Sequence, residues 1–93
     1  MNFKIKKYIE SYLKSLNEYE DITLFFIFLI EVKDDNFLDK NGLYNILLGL
    51  SKEIEQESIF YAILTDTLDY FVGFHPELLE DSDEYCFVKS LNT

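Results

Sequence analysis

Few side chains in this 93-residue sequence could perform chemistry: one histidine, His75, one cysteine, Cys86, and a large stock of carboxylates. With one histidine the sequence presents no complete histidine-based metal site and no serine triad. His75 stands directly before Pro76, which biases its backbone toward an extended conformation. It reads as a cap for the next helix or as an exposed side chain. Cys86 falls in an apolar stripe and reads as a buried structural thiol. A thiol nucleophile would need a base such as His75, and nothing in the sequence brings the two together.

The carboxylates come in pairs: Glu53 with Glu57, Asp66 with Asp69, Asp81 with Asp83. Glycosidase-like work needs one such carboxyl raised in pKa within a cleft, and a short helical domain has little room for both a core and a cleft. Solvated helix faces are the simpler reading. Asp39-Lys40-Asn41-Gly42 resembles the middle of a calcium loop. With Gly42 at loop position six, however, Phe37 and Leu48 fall where oxygen ligands must stand. It therefore reads as an Asn-Gly turn. More distinctive is the alternation of acids with tyrosines: Glu18-Tyr19-Glu20, Asp69-Tyr70 and Glu84-Tyr85. A tyrosine offers a rigid ring and a polar tip, and is favoured as an interface anchor. Carboxylates around such rings suit a basic groove on another protein. The expected contact residues are Asp66, Asp69, Tyr70, Glu80, Asp81, Asp83, Glu84 and Tyr85.

Charge supports that reading. Eighteen acids face eight bases, a net of -10 with a pI near 4.3, and every base is a lysine. Residues 1–17 hold Lys4, Lys6, Lys7 and Lys14 against Glu10, a local +3, while residues 18–93 hold four lysines against 17 acids, a local -13. Direct nucleic-acid binding is disfavoured, since phosphate attraction needs a basic surface, and without arginine there is no bidentate phosphate clamp. The field would instead speed encounter with a basic partner.

These residues must be held by helices. Residues 3–18 carry Ile5, Tyr8, Ile9, Tyr12, Leu13 and Leu16 at helical spacing. Residues 22–32 are apolar throughout. Periodicity alone leaves helix or strand open there, but an isolated strand would lack a partner, so a central helix capped by Asp21 is expected. A polar connection over 33–42 precedes a helix over 43–56, in which Gly49 marks a close contact or a break. Residues 58–72 form an amphipathic helix with Phe60, Ile63, Leu64, Leu68, Phe71 and Val72 on one face and Ala62, Thr65, Asp66 and Asp69 on the other. Gly73 stops it, and Pro76, Leu78 and Leu79 begin another helix. Asp81 and Glu84 have capping-box spacing for a further short helix, with a short strand over 85–88 as the alternative. The expectation is an all-α bundle of four to five short helices in a single domain, 1–93. The 48% hydrophobic content suffices for one modest core. The N-terminal lysines lack the apolar stretch of a signal peptide, and no run approaches the ~20 residues of a membrane span. A cytoplasmic protein is expected, and the lone cysteine suits a reducing compartment.

Size, acidity and expected helicity over the whole chain resemble the immunity proteins of bacterial toxin systems, the inhibitors of nuclease bacteriocins and of contact-dependent growth-inhibition toxins. Phage-encoded nuclease inhibitors that imitate nucleic acid fit the same profile. The Tyr-Tyr-Pro step that carries binding in the helical inhibitors of colicin nucleases is absent here, so no family residue is carried over. The resemblance implies a non-enzymatic inhibitor or antitoxin without cofactor or metal, whose negative surface covers the substrate groove of a basic nuclease toxin. The alternative is a structural or self-associating helical module. It is suggested by the 17% aromatic content, including Phe25, Phe26 and Phe28, as more bulk than a small core easily hides.

Overall fold

The first helix, α1 (Asn2–Ser15), turns Ile5, Ile9, Tyr12 and Leu13 to one side and leaves Lys4, Lys7 and Lys14 in solvent. The computed structural model describes residues 2–73 and 77–92. After α1 come a single 3₁₀ turn (Tyr19–Asp21) and the helices α2 (Ile22–Asp35), α3 (Lys40–Ser51), α4 (Ile59–Val72) and α5 (Asp83–Leu91), with no strand among the described residues. The expected all-α bundle forms. α1 packs on α2 and α3, α3 on α4, and α2 on α5.

The run that periodicity left open is helical and central. Phe25, Phe26, Phe28, Leu29 and Val32 of α2 are buried, so the aromatic bulk of this segment goes into the core. Tyr12 stacks on Phe28 with ring centroids 3.9 Å apart, tying α1 to α2. Asp21 does not cap α2 with its side chain. Its carboxylate turns back and accepts the backbone N–H groups of Asn17 and Glu18 at 3.0 and 3.2 Å, closing the 3₁₀ turn instead.

The connection expected over 33–42 is shorter than its polarity suggests. α2 continues to Asp35, and α3 starts at Lys40, where Asp39 accepts the Gly42 N–H at 2.7 Å as an N-cap. Asn41-Gly42 is thus the first turn of a helix and not a loop turn. Gly49 is neither a break nor a close contact: α3 runs through it, and an added Cβ would meet nothing within 4 Å. The helix stops at Ser51, short of the expected residue 56, although Ile54 beyond it is still buried.

α4 matches its sequence pattern except at Val72. Ser58 caps it by accepting the Tyr61 N–H at 3.2 Å, and Gly73 ends it in the left-handed region at φ 83°. The core face is Ile63, Leu64, Thr67 and Phe71, with the Thr67 hydroxyl donating to the Ile63 carbonyl at 2.7 Å. Val72 lies off that face and is exposed.

The last segment departs most from expectation. Pro76 lies outside the described residues, Leu78 and Leu79 are not helical, and Leu79 is 81% exposed. The cap of α5 is Ser82, accepting the Tyr85 N–H at 3.1 Å; Asp81 sits just before it at φ 71°. Residues 85–88 are helical and not a strand, because Phe87 and Leu91, four apart, bury together on one helix face. That phase leaves Cys86 exposed, contrary to the expected buried thiol.

Candidate functional site

Beneath one corner of the bundle lies an aromatic platform. Phe26 of α2 stacks on Phe87 of α5 at 4.4 Å, and Phe71 of α4 meets Phe87 edge-on at 5.9 Å. Tyr70 lies edge-on against both Phe26 and Phe87, at 5.4 and 6.4 Å. Such tilted pairs are each worth about 0.5–1.5 kcal/mol beyond their area burial. Three helices therefore fix the ring of Tyr70.

Over this platform the chain gathers acids and phenols. Asp66 and Tyr70 are one α4 turn apart and so share a face. The 3₁₀ turn, which packs against α4, brings Tyr19 to them, and its hydroxyl donates to the Asp66 carboxylate. That hydrogen bond is the main cause that pushes the Tyr19 phenol up to about 12, aided by burial and by the nearby charges of Asp66 and Glu84. Tyr70 is raised first by burial, then by Glu84, Asp66 and Asp69. The neighbouring carboxylates add to both shifts, because removing a phenolic proton would add negative charge to an already negative corner. Both phenols therefore remain neutral hydrogen-bonding groups at physiological pH, and neither is activated as a nucleophile. Glu18 and Glu20, on either side of Tyr19, are exposed and add to the field.

The structure brings together half of the eight residues singled out from sequence: Asp66, Asp69, Tyr70 and Glu84. Glu80 and Asp81 are exposed on the segment entering α5, and Tyr85 is half-buried on α5. Asp83 faces a separate groove between α2 and α5. Tyr19 was missing from the expected set, although its Glu-Tyr-Glu setting had been visible. Its closeness to Asp66 spans 47 positions of sequence, which no local pattern reveals. His75 lies outside the described residues. Among the described residues no three metal-ligating side chains converge.

No family model, curated protein or solved structure matches this chain. The site must therefore be read from its own chemistry. Its resources are formal negative charge, two neutral phenols and a rigid base. Those are resources for holding a cationic surface.

Proposed function

We propose that this chain is a small acidic protein-binding inhibitor, an immunity protein or antitoxin that neutralises a basic nuclease toxin by covering its substrate groove. The observation that carries the reading is the corner where Tyr19, Asp66, Tyr70 and Glu84 meet above the aromatic platform. Carboxylates without a lysine partner among the described residues steer a cationic partner into encounter, and a rigid half-buried tyrosine supplies an anchor that loses little side-chain entropy on binding. In this reading the protein is not an enzyme and acts in the cytoplasm, where such a toxin would meet its nucleic acid. No helix among the described residues is long and apolar enough to cross a membrane.

The test is affinity capture from the native host, followed by nuclease assays of the captured protein with and without the chain. Stoichiometric loss of nuclease activity, relieved by Asp66→Lys with Asp69→Lys, is the expected result. A captured partner that cleaves nothing, or inhibition untouched by both reversals, overturns the reading.

A second reading, a self-associating helical module, draws on a different observation. The aromatic excess of α2 is buried, but Phe3, Tyr8, Leu24 and Ile27 are exposed. Sedimentation velocity discriminates: concentration-dependent dimers favour this reading, and a strict monomer at high concentration removes it.

A further inference from the structure

α2 and α5 do not close completely over their shared core. Between them lies a groove of about 230 Å³ with Phe26 and Phe87 at its base, Ile27 and Ile30 along α2, and Glu31 and Asp83 beside them. Ile27 is 57% exposed, and Leu24, three residues earlier on the same helix, is 49% exposed. Together they continue the apolar strip beyond the groove. Neither Glu31 nor Asp83 is in an ion pair among the described residues.

An apolar strip bordered by carboxylates that have no ion-pair partner among the described residues has a definite complement. Apolar side chains of an occupant fill the groove while its cations meet Glu31 and Asp83. A second copy of this chain fits poorly: each copy carries -10, and their mutual repulsion opposes close approach. We propose that the α2–α5 groove docks a cationic amphipathic segment of a partner protein, one presenting large apolar side chains between lysines or arginines. This deepens the reading of a cationic protein partner and rests on it, but the groove's rim, Ile27, Glu31 and Asp83, shares no residue with Tyr19, Asp66, Tyr70 and Glu84, although both surfaces stand on Phe26 and Phe87.

Cys86 lines the groove and is the sole cysteine of the sequence, so its thiol reports occupancy directly. The probe is a synthetic helical peptide of leucine and lysine, with a leucine–glutamate peptide as its counterpart. The measurement is the rate at which a soluble aromatic disulfide reagent modifies Cys86. The lysine peptide is expected to slow modification at least fivefold at saturation, and the glutamate peptide not at all. Ile27→Asp and Glu31→Lys should each raise the lysine-peptide concentration needed for half-maximal protection at least tenfold. Ile27 is largely exposed, so its replacement leaves the core intact, and Glu31→Lys keeps every apolar contact. Asp66→Lys should change protection less than twofold. The proposal is overturned if the lysine peptide gives no protection, or if protection follows Asp66 and ignores Ile27. It is also overturned if Cys86 is shielded at high protein concentration without peptide, which would make a second copy the occupant. No nuclease enters the assay, so the groove and the inhibitor reading can fail separately.

Discussion

On α1 three of the four lysines are answered within the molecule. Lys6 pairs with Glu53, while Lys7 and Lys14 share Glu10 at 3.5 and 3.2 Å. At the corner formed by α4, the 3₁₀ turn and α5, no lysine among the described residues pairs with Asp66, Asp69 or Glu84. Surface ion pairs such as those of α1 contribute little, typically 0–1 kcal/mol, because solvent screens them and long side chains lose entropy. Leaving like charges unanswered is the costlier arrangement, since self-repulsion works against the compact state. The corner tolerates it on a base of stacked Phe26 and Phe87, with Tyr70 edge-on against both. The difference teaches where a cationic partner has something to gain: the α1 face is basic and most of its lysines already have carboxylate partners, whereas the corner is acidic and has no lysine partner among the described residues.

The comparison breaks most completely if the platform goes. Phe87→Ala removes the ring on which Phe26, Tyr70 and Phe71 meet, and should cost about 3–5 kcal/mol in denaturant unfolding. An unfolding midpoint close to that of the wild type would show that the corner does not depend on this ring.

The electrostatic half of the comparison can be read by titration. Tyr19, with an ordinary value of 10.0, is pushed up to about 12 first by its hydrogen bond to Asp66. A pKa higher in the folded state means the contribution to stability is complete below about pH 10 and is lost as pH rises through about 12. Following phenolate absorbance in wild type against Tyr19→Phe should isolate that late step, and Asp66→Asn should move it down toward 10.0. A Tyr19 titrating at its ordinary value in the wild type would dissolve the corner's central contact.

A position belonging to neither region serves as control. Gly49→Ala in α3 fills open space and should stabilise the fold by roughly 0.5–1 kcal/mol while leaving partner binding unchanged. The smallest effect belongs to α1. Glu10 is held below its ordinary 4.5 first by the hydrogen bond from Lys14, then by the charges of Lys14 and Lys7, with burial opposing. Its contribution is complete above that ordinary value and fades as pH falls through the depressed one. Glu10→Gln should therefore cost only about 0.3–0.5 kcal/mol at neutral pH, as such helix pairs do.

Most of the fold was legible because it rests on local rules. Apolar spacing located α1, α3 and α4, and Gly73 ended α4 where a left-handed residue was needed; α2 rested on the lack of a partner for a strand and α5 on capping-box spacing, while the helix expected from Leu78 and Leu79 does not form. The errors lie at boundaries, where one polar residue competes with another. Asp39 captured the Gly42 N–H and turned an apparent loop into a helix start, and Ser82 took the capping role expected of Asp81. In α5, the joint burial of Phe87 and Leu91 set a helical phase that rotated Cys86 outward, which a mixed run of nine residues could not reveal. The site was half legible for the same reason. Asp66, Asp69 and Tyr70 sit on one helix and could be grouped by spacing, whereas Tyr19 and the α2–α5 groove arise only from tertiary packing.

The measurement that bears most directly on this account is the affinity of the captured partner for two charge-reversed variants, one at each region. Asp66→Lys with Glu84→Lys should weaken binding at least a hundredfold and flatten its salt dependence. Lys4→Glu with Lys7→Glu should leave affinity within about threefold, as expected for rim charges. Binding that survives the corner reversal, or is abolished by the α1 reversal, would contradict the account.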